Sequence, residues 1–261
     1  LRHFAASAYD FRAIACPEDP LADRWPEWIP YYRMKAAIAA VLQPATICEV
    51  GVRYGYSASA FLHGAPGARY TGIDLDSSTY GGTPGAIRWA HHILPSDQCT
   101  FAVGDSQRMS RLPGDAYDLV HVDGQQDGDG TWHDLDLAAA QGRWLLLDGY
   151  FWSRPNMLAA SEWLLRNRDI IEWSGVIPDY GGELIVKMRP AAFVDARSAA
   201  SESAALASCY TSSYYLEDCG GHEVFRRSGG RRLDDARLRA VAALAGAVPS
   251  TRVLDLGCGR G

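Results

Sequence analysis

Nine residues, Glu49 to Ser57 in the order E-V-G-V-R-Y-G-Y-S, combine an acid, two glycines and a hydroxyl. Four later acids each close a short apolar run: Asp74 after YTGI, Asp105 after TFAVG, Asp123 after DLVHV and Asp148 after RWLLL. Gly51 and Gly55 let the backbone turn tightly and approach a ligand closely. A helix opening after them would present free N–H groups and the positive end of its dipole. An acid at the next strand end, Asp74, is placed to take ribose hydroxyls, so the first part of the chain suits a nucleoside. Asp123 and Asp148 suit different chemistry. If their strands are neighbours, the two carboxylates stand about 4.8 Å apart, where they either repel or share a cation, and oxygen ligands suit Mg²⁺. Such an ion would hold a substrate hydroxyl and lower its pKa. His133, in the acidic glycine-rich segment QQDGDGTWHD that reads as a mobile loop, is the best-placed general base. A histidine at a helix start with no catalytic role is the alternative.

These residues need an open parallel sheet to bring them together. Thr46 to Val50 reads as a buried strand, followed by the glycine turn and a small-residue helix, SASAFL. Strands are expected at YTGI, TFAV, YDLVHV and RWLLL, each alternating with a helical or loop segment. IIEWSGV and ELIVKM read as a hairpin around Pro178-Asp179-Tyr180-Gly181-Gly182, where proline fixes φ and glycine supplies the positive one. The fold class is α/β: a doubly wound, mostly parallel, Rossmann-like sheet with a terminal antiparallel hairpin. Prolines 17, 20, 26 and 30 are expected to keep residues 1–29 irregular, with the first clear helix over Tyr31 to Leu42. The aromatic cluster Trp25, Trp28, Tyr31 and Tyr32 is read as a cap on the sheet or as a lid over a bound substrate.

The turn lacks the middle glycine of the dinucleotide fingerprint G-x-G-x-x-G. The order E-V-G-x-x-x-G-x-S instead resembles motif I of the class I S-adenosylmethionine-dependent methyltransferases. The Arg-Tyr inside the turn and the serine after it are most similar to the branch of macrocin-type O-methyltransferases and cephalosporin-hydroxylase-like proteins. D-L-V-H-V-D-G followed by Asp134 resembles motif IV of the same group, and the resemblance covers about residues 31–189. It implies that Glu49 lies near the methionine end of S-adenosylmethionine, with Gly51, Gly55 and Ser57 passing under the carboxypropyl and ribose groups. It also places Asp105 and Ser106 at the adenine edge. An acid capping the next helix is the other reading of Asp105. Two departures bear on the chemistry. Gln125-Gln126 follows the glycine where many relatives carry histidine or an acid, and Gly149 stands where metal-dependent relatives have a second acid or amide.

The resemblance therefore implies O-methylation of a small-molecule hydroxyl, on a sugar or a secondary metabolite, with S-adenosylmethionine and with Mg²⁺ as an open addition. A non-catalytic nucleoside-binding module and an NAD-type dehydrogenase on the same sheet remain as alternatives. With 48% hydrophobic residues and 11% aromatics, the 261-residue chain can pack a core. Its net charge of −6 gives no attraction to nucleic acid or acidic membranes. No apolar run approaches the roughly 20 residues of a membrane span. Six cysteines without a C-x-x-C pair argue against zinc or a disulfide scaffold, and point to a reduced, cytoplasmic chain. Domains are expected at 1–30 (aromatic cap), 31–190 (methyltransferase), 191–208 (linker) and 209–261. The last carries TRVLDLGCGRG and reads as the start of a second methyltransferase unit. Because the sequence opens on Leu1 and stops at Gly261, it reads as a fragment. A homo-oligomer is left open.

Overall fold

The computed structural model describes residues 2–79, 82–178 and 180–190. The expected linker and second unit, 191–261, lie outside the described residues. Among the described residues there are seven strands: β1 (Thr46–Val50), β2 (Arg69–Asp74), β3 (Cys99–Val103), β4 (Tyr117–Val122), β5 (Gly142–Leu147), β6 (Ile171–Ile177) and β7 (Glu183–Met188). They form one sheet in the order β3-β2-β1-β4-β5-β7-β6. The first five run parallel, while β7 is antiparallel to both β5 and β6. The expected fold class is thus the observed one. The chain moves outward from β1 to β3, then crosses back to β4 beside β1. That reversal opens a crevice beyond the carboxyl ends of β1 and β4, where sheets of this kind bind ligands.

Six helices accompany the sheet: α1 (Arg2–Ala6), α2 (Trp25–Leu42), α3 (Tyr56–Gly64), α4 (Ala86–Ile93), α5 (Asp129–Gln141) and α6 (Arg154–Arg166). Strict alternation sorts the strand residues onto two faces. Val50, Val120, Val122, Leu145, Leu147 and Val186 share one core with Leu135, Ala138 and Trp163 of α5 and α6. Ile47, Leu119 and Leu146 share the other with Ile38, Ala39 and Phe61 of α2 and α3. The small residues of α2 and α3 let these helices approach closely. A Cβ on Gly64 would lie 2.1 Å from the Ala36 carbonyl oxygen. Close packing of α2 on this face carries its Lys35 side chain into the sheet.

Two expectations about helix starts are corrected. The first long helix begins at Trp25, not near Tyr31, despite Pro26 and Pro30. Pro26 falls in the first turn, where its missing N–H would have no intrahelical carbonyl to serve. Pro30 sits inside and costs about 3 kcal/mol. Aromatic packing offsets it: Phe11 is fully buried, worth about 2 kcal/mol, and its ring meets those of Trp25, Trp28, Tyr32 and Tyr56. The N-terminal aromatics therefore hold α2 and α3 together, and Trp28 and Tyr32 also wall the cleft. Helix α5 begins at Asp129, so Thr131 to Asp134 are helical and not part of a loop. The Asp127 carboxylate accepts the Gly130 N–H at 3.0 Å, and Thr131 Oγ1 reaches Asn156 at 2.6 Å, which fixes that start.

The turn after β1 is set by one close approach. Gly51 has φ of +92°, and a Cβ there would lie 2.1 Å from the Asp123 carbonyl oxygen. No side chain fits between the ends of β1 and β4. Gly51→Ala is expected to destabilise the fold by about 3 kcal/mol or more in urea unfolding. Gly67→Ala, where a Cβ meets nothing within 4 Å, should stay within about 0.5 kcal/mol of the parent. Equal effects of the two substitutions would contradict this account of the turn.

Candidate active site

One cavity of about 580 Å³ crosses the carboxyl ends of β1 to β5. Gly51, Ser57, Asp74, Asp105 and Ser106 line it over β1 to β3, while Asp123 and Asp148 line it at the ends of β4 and β5. Trp28, Tyr31, Tyr32, Trp152 and Tyr180 wall that second part. The structure thus gathers seven of the residues singled out from sequence around one space.

Asp74 does more than face a ligand. Its Oδ2 accepts the backbone N–H groups of Val52 and Arg53, both at 2.7 Å, and its Oδ1 accepts that of Asp76 at 2.6 Å. The carboxylate therefore ties β2 to the glycine turn, with acceptor capacity left on Oδ1 for a hydroxyl. Asp105 caps the short turn Ser106–Arg108 by accepting from the Gln107 N–H at 3.0 Å, and it also lines the cavity. Arg53, within the turn at φ of +49°, pairs with Asp19 at 2.8 Å. Its buried Nε has no partner among the described residues.

Three residues stand elsewhere than expected. Glu49 does not line the cavity. Its fully buried carboxylate receives the Ser57 and Tyr70 hydroxyls and lies 2.7 Å from His121 Nδ1, so it supports the floor through Ser57. Gly55 also lies off the cavity. A Cβ there would come within 2.8 Å of Ala90, which makes it a contact point between the turn and α4. His133 is corrected as the general base: its Nε2–H donates to the Ser106 and Met109 carbonyls at 3.0 and 3.1 Å. That proton is committed to the backbone, and the side chain lies outside the cavity lining.

Asp123 and Asp148 do come together, because β4 and β5 are neighbours with Val122 opposite Leu147. Behind them runs a buried polar row. Lys35 Nζ has no exposure and lies 2.6 Å from Glu183 Oε1, 2.8 Å from His121 Nε2 and 3.1 Å from Asp148 Oδ1. The Tyr31 hydroxyl donates to the same Asp148 oxygen at 2.6 Å. Burial alone would lower the Lys35 pKa, but Glu183, Asp148 and Asp123 together hold it above its ordinary value. Burial raises Asp148, and Lys35, His121 and the Tyr31 hydrogen bond overcome that, leaving Asp148 below the usual carboxylate range. Burial, then the Asp148 charge, push Asp123 well above its ordinary value. Burial and the Lys35 charge lower His121 against the opposing effect of Glu49, and burial with the nearby carboxylates raises the Tyr31 phenol. The two carboxyls are therefore shifted in opposite directions, Asp148 down and Asp123 up.

This donor set does not fit a resident Mg²⁺ at the pair. Asp148 Oδ1 already takes a full ammonium and a phenol. The carboxamide nitrogen of Gln126 lies 3.2 Å from Asp123 Oδ1 and 3.4 Å from Asp148 Oδ2. It also fills the space beside Gly149, where a Cβ would lie 2.9 Å away. Sequence reasoning missed Lys35, Glu183 and the role of His121. The available signal was charge in buried runs: Glu49 and His121 interrupt apolar strands, and a buried polar group needs a partner.

No family model matches the sequence, and no curated protein matches it. Solved structures share the fold. The SAH-bound methyltransferase PaMTH1 from Podospora anserina aligns with a TM-score of 0.53 and 17% identity, covering 72% of this chain and 87% of that one. The O-methyltransferase TomG from Streptomyces achromogenes, involved in tomaymycin synthesis and solved with SAM, aligns with a TM-score of 0.50 and 15% identity. That alignment covers 70% of this chain and 91% of that one. Among the described residues, no helix is long and apolar enough to cross a membrane.

Asp134, in α5 beneath Gly124, gives a titration test. Burial pushes its pKa up to about 6, while its Oδ1 accepts from Gln107 Nε2 at 2.9 Å. A raised folded-state value means the stability this carboxyl contributes is full below its unfolded pKa of about 3.9 and fades as pH climbs through about 6. Asparagine keeps the acceptor and never ionises. Asp134→Asn should match the parent near about pH 4 and exceed it by up to about 3 kcal/mol above about pH 7, read by urea unfolding. A stability difference independent of pH would contradict the assignment.

Proposed function

We propose that the described domain is an S-adenosylmethionine-dependent methyltransferase acting on a hydroxyl of a small molecule. The observation that carries this is the cavity joining a glycine turn and strand-end acids to the Asp123–Asp148 pair under an aromatic wall. The shared fold with two methyltransferases described with SAH or SAM supports it. S-adenosylmethionine would supply a methyl group already attached to a sulfonium leaving group.

The chain's own residues would then bind and orient the reactants. Gly51 leaves room at the turn, and Asp74 Oδ1 retains capacity for a ribose hydroxyl. Asp105 and Ser106 face the adenine side. The unpartnered Arg53 Nε and the start of α3 suit a carboxylate. At the other side, the Asp123–Asp148 carboxyls line the cavity, where they would accept a hydrogen bond from an acceptor hydroxyl and orient its oxygen. Trp28, Tyr32 and Trp152 would bury the acceptor's flat or C–H-rich faces, and Gln126 and Asp127 would meet its polar groups. This lining favours a polyhydroxylated or aromatic acceptor, in keeping with a sugar or secondary metabolite. Orientation of the two reactants would carry much of the rate.

Calorimetric titration of S-adenosylhomocysteine into the chain tests this reading, with NADH as the comparison. Single-site binding is expected, weakened roughly tenfold or more by Asp74→Asn, with no binding of NADH. Circular dichroism on the same variant checks that the turn still folds. Absence of S-adenosylhomocysteine binding to folded protein would overturn the reading.

A further inference from the structure

The ligating atoms of His121, Asp148 and Glu183 lie within 4.8 Å of one another, and all three residues are buried. One imidazole and two carboxylates converging in this way form a donor set suited to a divalent cation. The centre of that set is taken. Lys35 Nζ lies 2.6 to 3.1 Å from one atom of each residue, so its three N–H donors meet three acceptors. The Tyr31 ring closes the cage, its centroid 4.4 Å from the ammonium. An ion with oxygen ligands at about 2.1 Å could not share those atoms with the ammonium, since two positive charges would then sit in contact away from water.

We propose that Lys35 is the built-in cation of this domain. Its ammonium fills the His121–Asp148–Glu183 cage in place of a divalent ion, and through Asp148 it positions the cavity-facing carboxylate pair without a metal. Lys35 is a positioning residue; it touches Asp148, and Asp148 lines the cavity. Occupancy of the cage stands apart from the methyl-transfer reading. Only the role given to Asp148 toward an acceptor rests on it.

The test compares the whole chain with Lys35→Ala, using Mg²⁺, Mn²⁺ and Zn²⁺ alone as probes. Thermal midpoint and calorimetric metal binding are the readouts. For the parent, EDTA and all three metals should leave the midpoint unchanged. Lys35→Ala opens the cage, so it should fall in midpoint, recover with Mn²⁺, Zn²⁺ or methylammonium, and bind Zn²⁺ roughly tenfold or more tightly than the parent. If Lys35→Ala is insoluble alone, it is prepared with each of these cations present, and recovery of folded protein by any one supports the assignment. Failure of every cation to recover it would overturn the assignment. So would a parent protein that loses midpoint in EDTA and regains it with Mg²⁺, or a Lys35→Ala variant as stable as the parent that takes up no metal. S-adenosylhomocysteine binding by the same parent sample reports on the methyl-transfer reading separately.

Discussion

A lysine ammonium without access to water needs acceptors on every side, and here α2, β4, β5 and β7 each depend on supplying or meeting them. Lys35 comes from α2, His121 from β4, Asp148 from the end of β5 and Glu183 from the start of β7. Removing one partner from such a buried set typically costs about 3–5 kcal/mol, comparable to a large part of a domain's net stability. A hydrophobic replacement of the whole set could be as stable, so stability alone does not explain it. Its consequence at the cavity does. With Lys35 and Tyr31 on one oxygen of Asp148, that carboxylate is fixed at the cavity and its pKa is held down.

The same row ties the carboxylate pair to the glycine turn. His121 and Glu49 are opposite one another across β1 and β4, and the Glu49 carboxylate receives the Ser57 hydroxyl at the start of α3. A continuous chain of contacts therefore runs from Lys35 through His121 and Glu49 to the glycine turn. Gly51 completes the geometry by letting β1 and β4 end within touching distance. The crevice at the strand reversal is the space left between these fixed points.

Much of this was legible in the sequence, and the rest was not for identifiable reasons. Alternating and continuous apolar runs placed all seven strands, because a strand buried on one or both faces leaves a period-two or unbroken pattern. Acids at strand ends located Asp74, Asp105, Asp123 and Asp148. The helix start at Trp25 was missed because proline was read as a breaker without regard to its position in the first turn. His133 was read as a base because its segment resembled a loop, whereas the Asp127 and Thr131 contacts make it helical and turn its proton toward carbonyls. The partners of Lys35 carry no local signal. It sits in a helix between Met34 and Ala36, and the groups it meets come from positions 86 to 148 residues away.

If one cavity holds a nucleoside at the glycine turn and presents it to the Asp123–Asp148 pair, a crystal of the chain soaked with S-adenosylhomocysteine will show it. Adenosine is expected across Gly51, Asp74 and Asp105, with the sulfur facing the carboxylate pair and Lys35 still seated between His121, Asp148 and Glu183. A ligand bound elsewhere, or an adenosine reversed so that its base lies against Asp148, would contradict it.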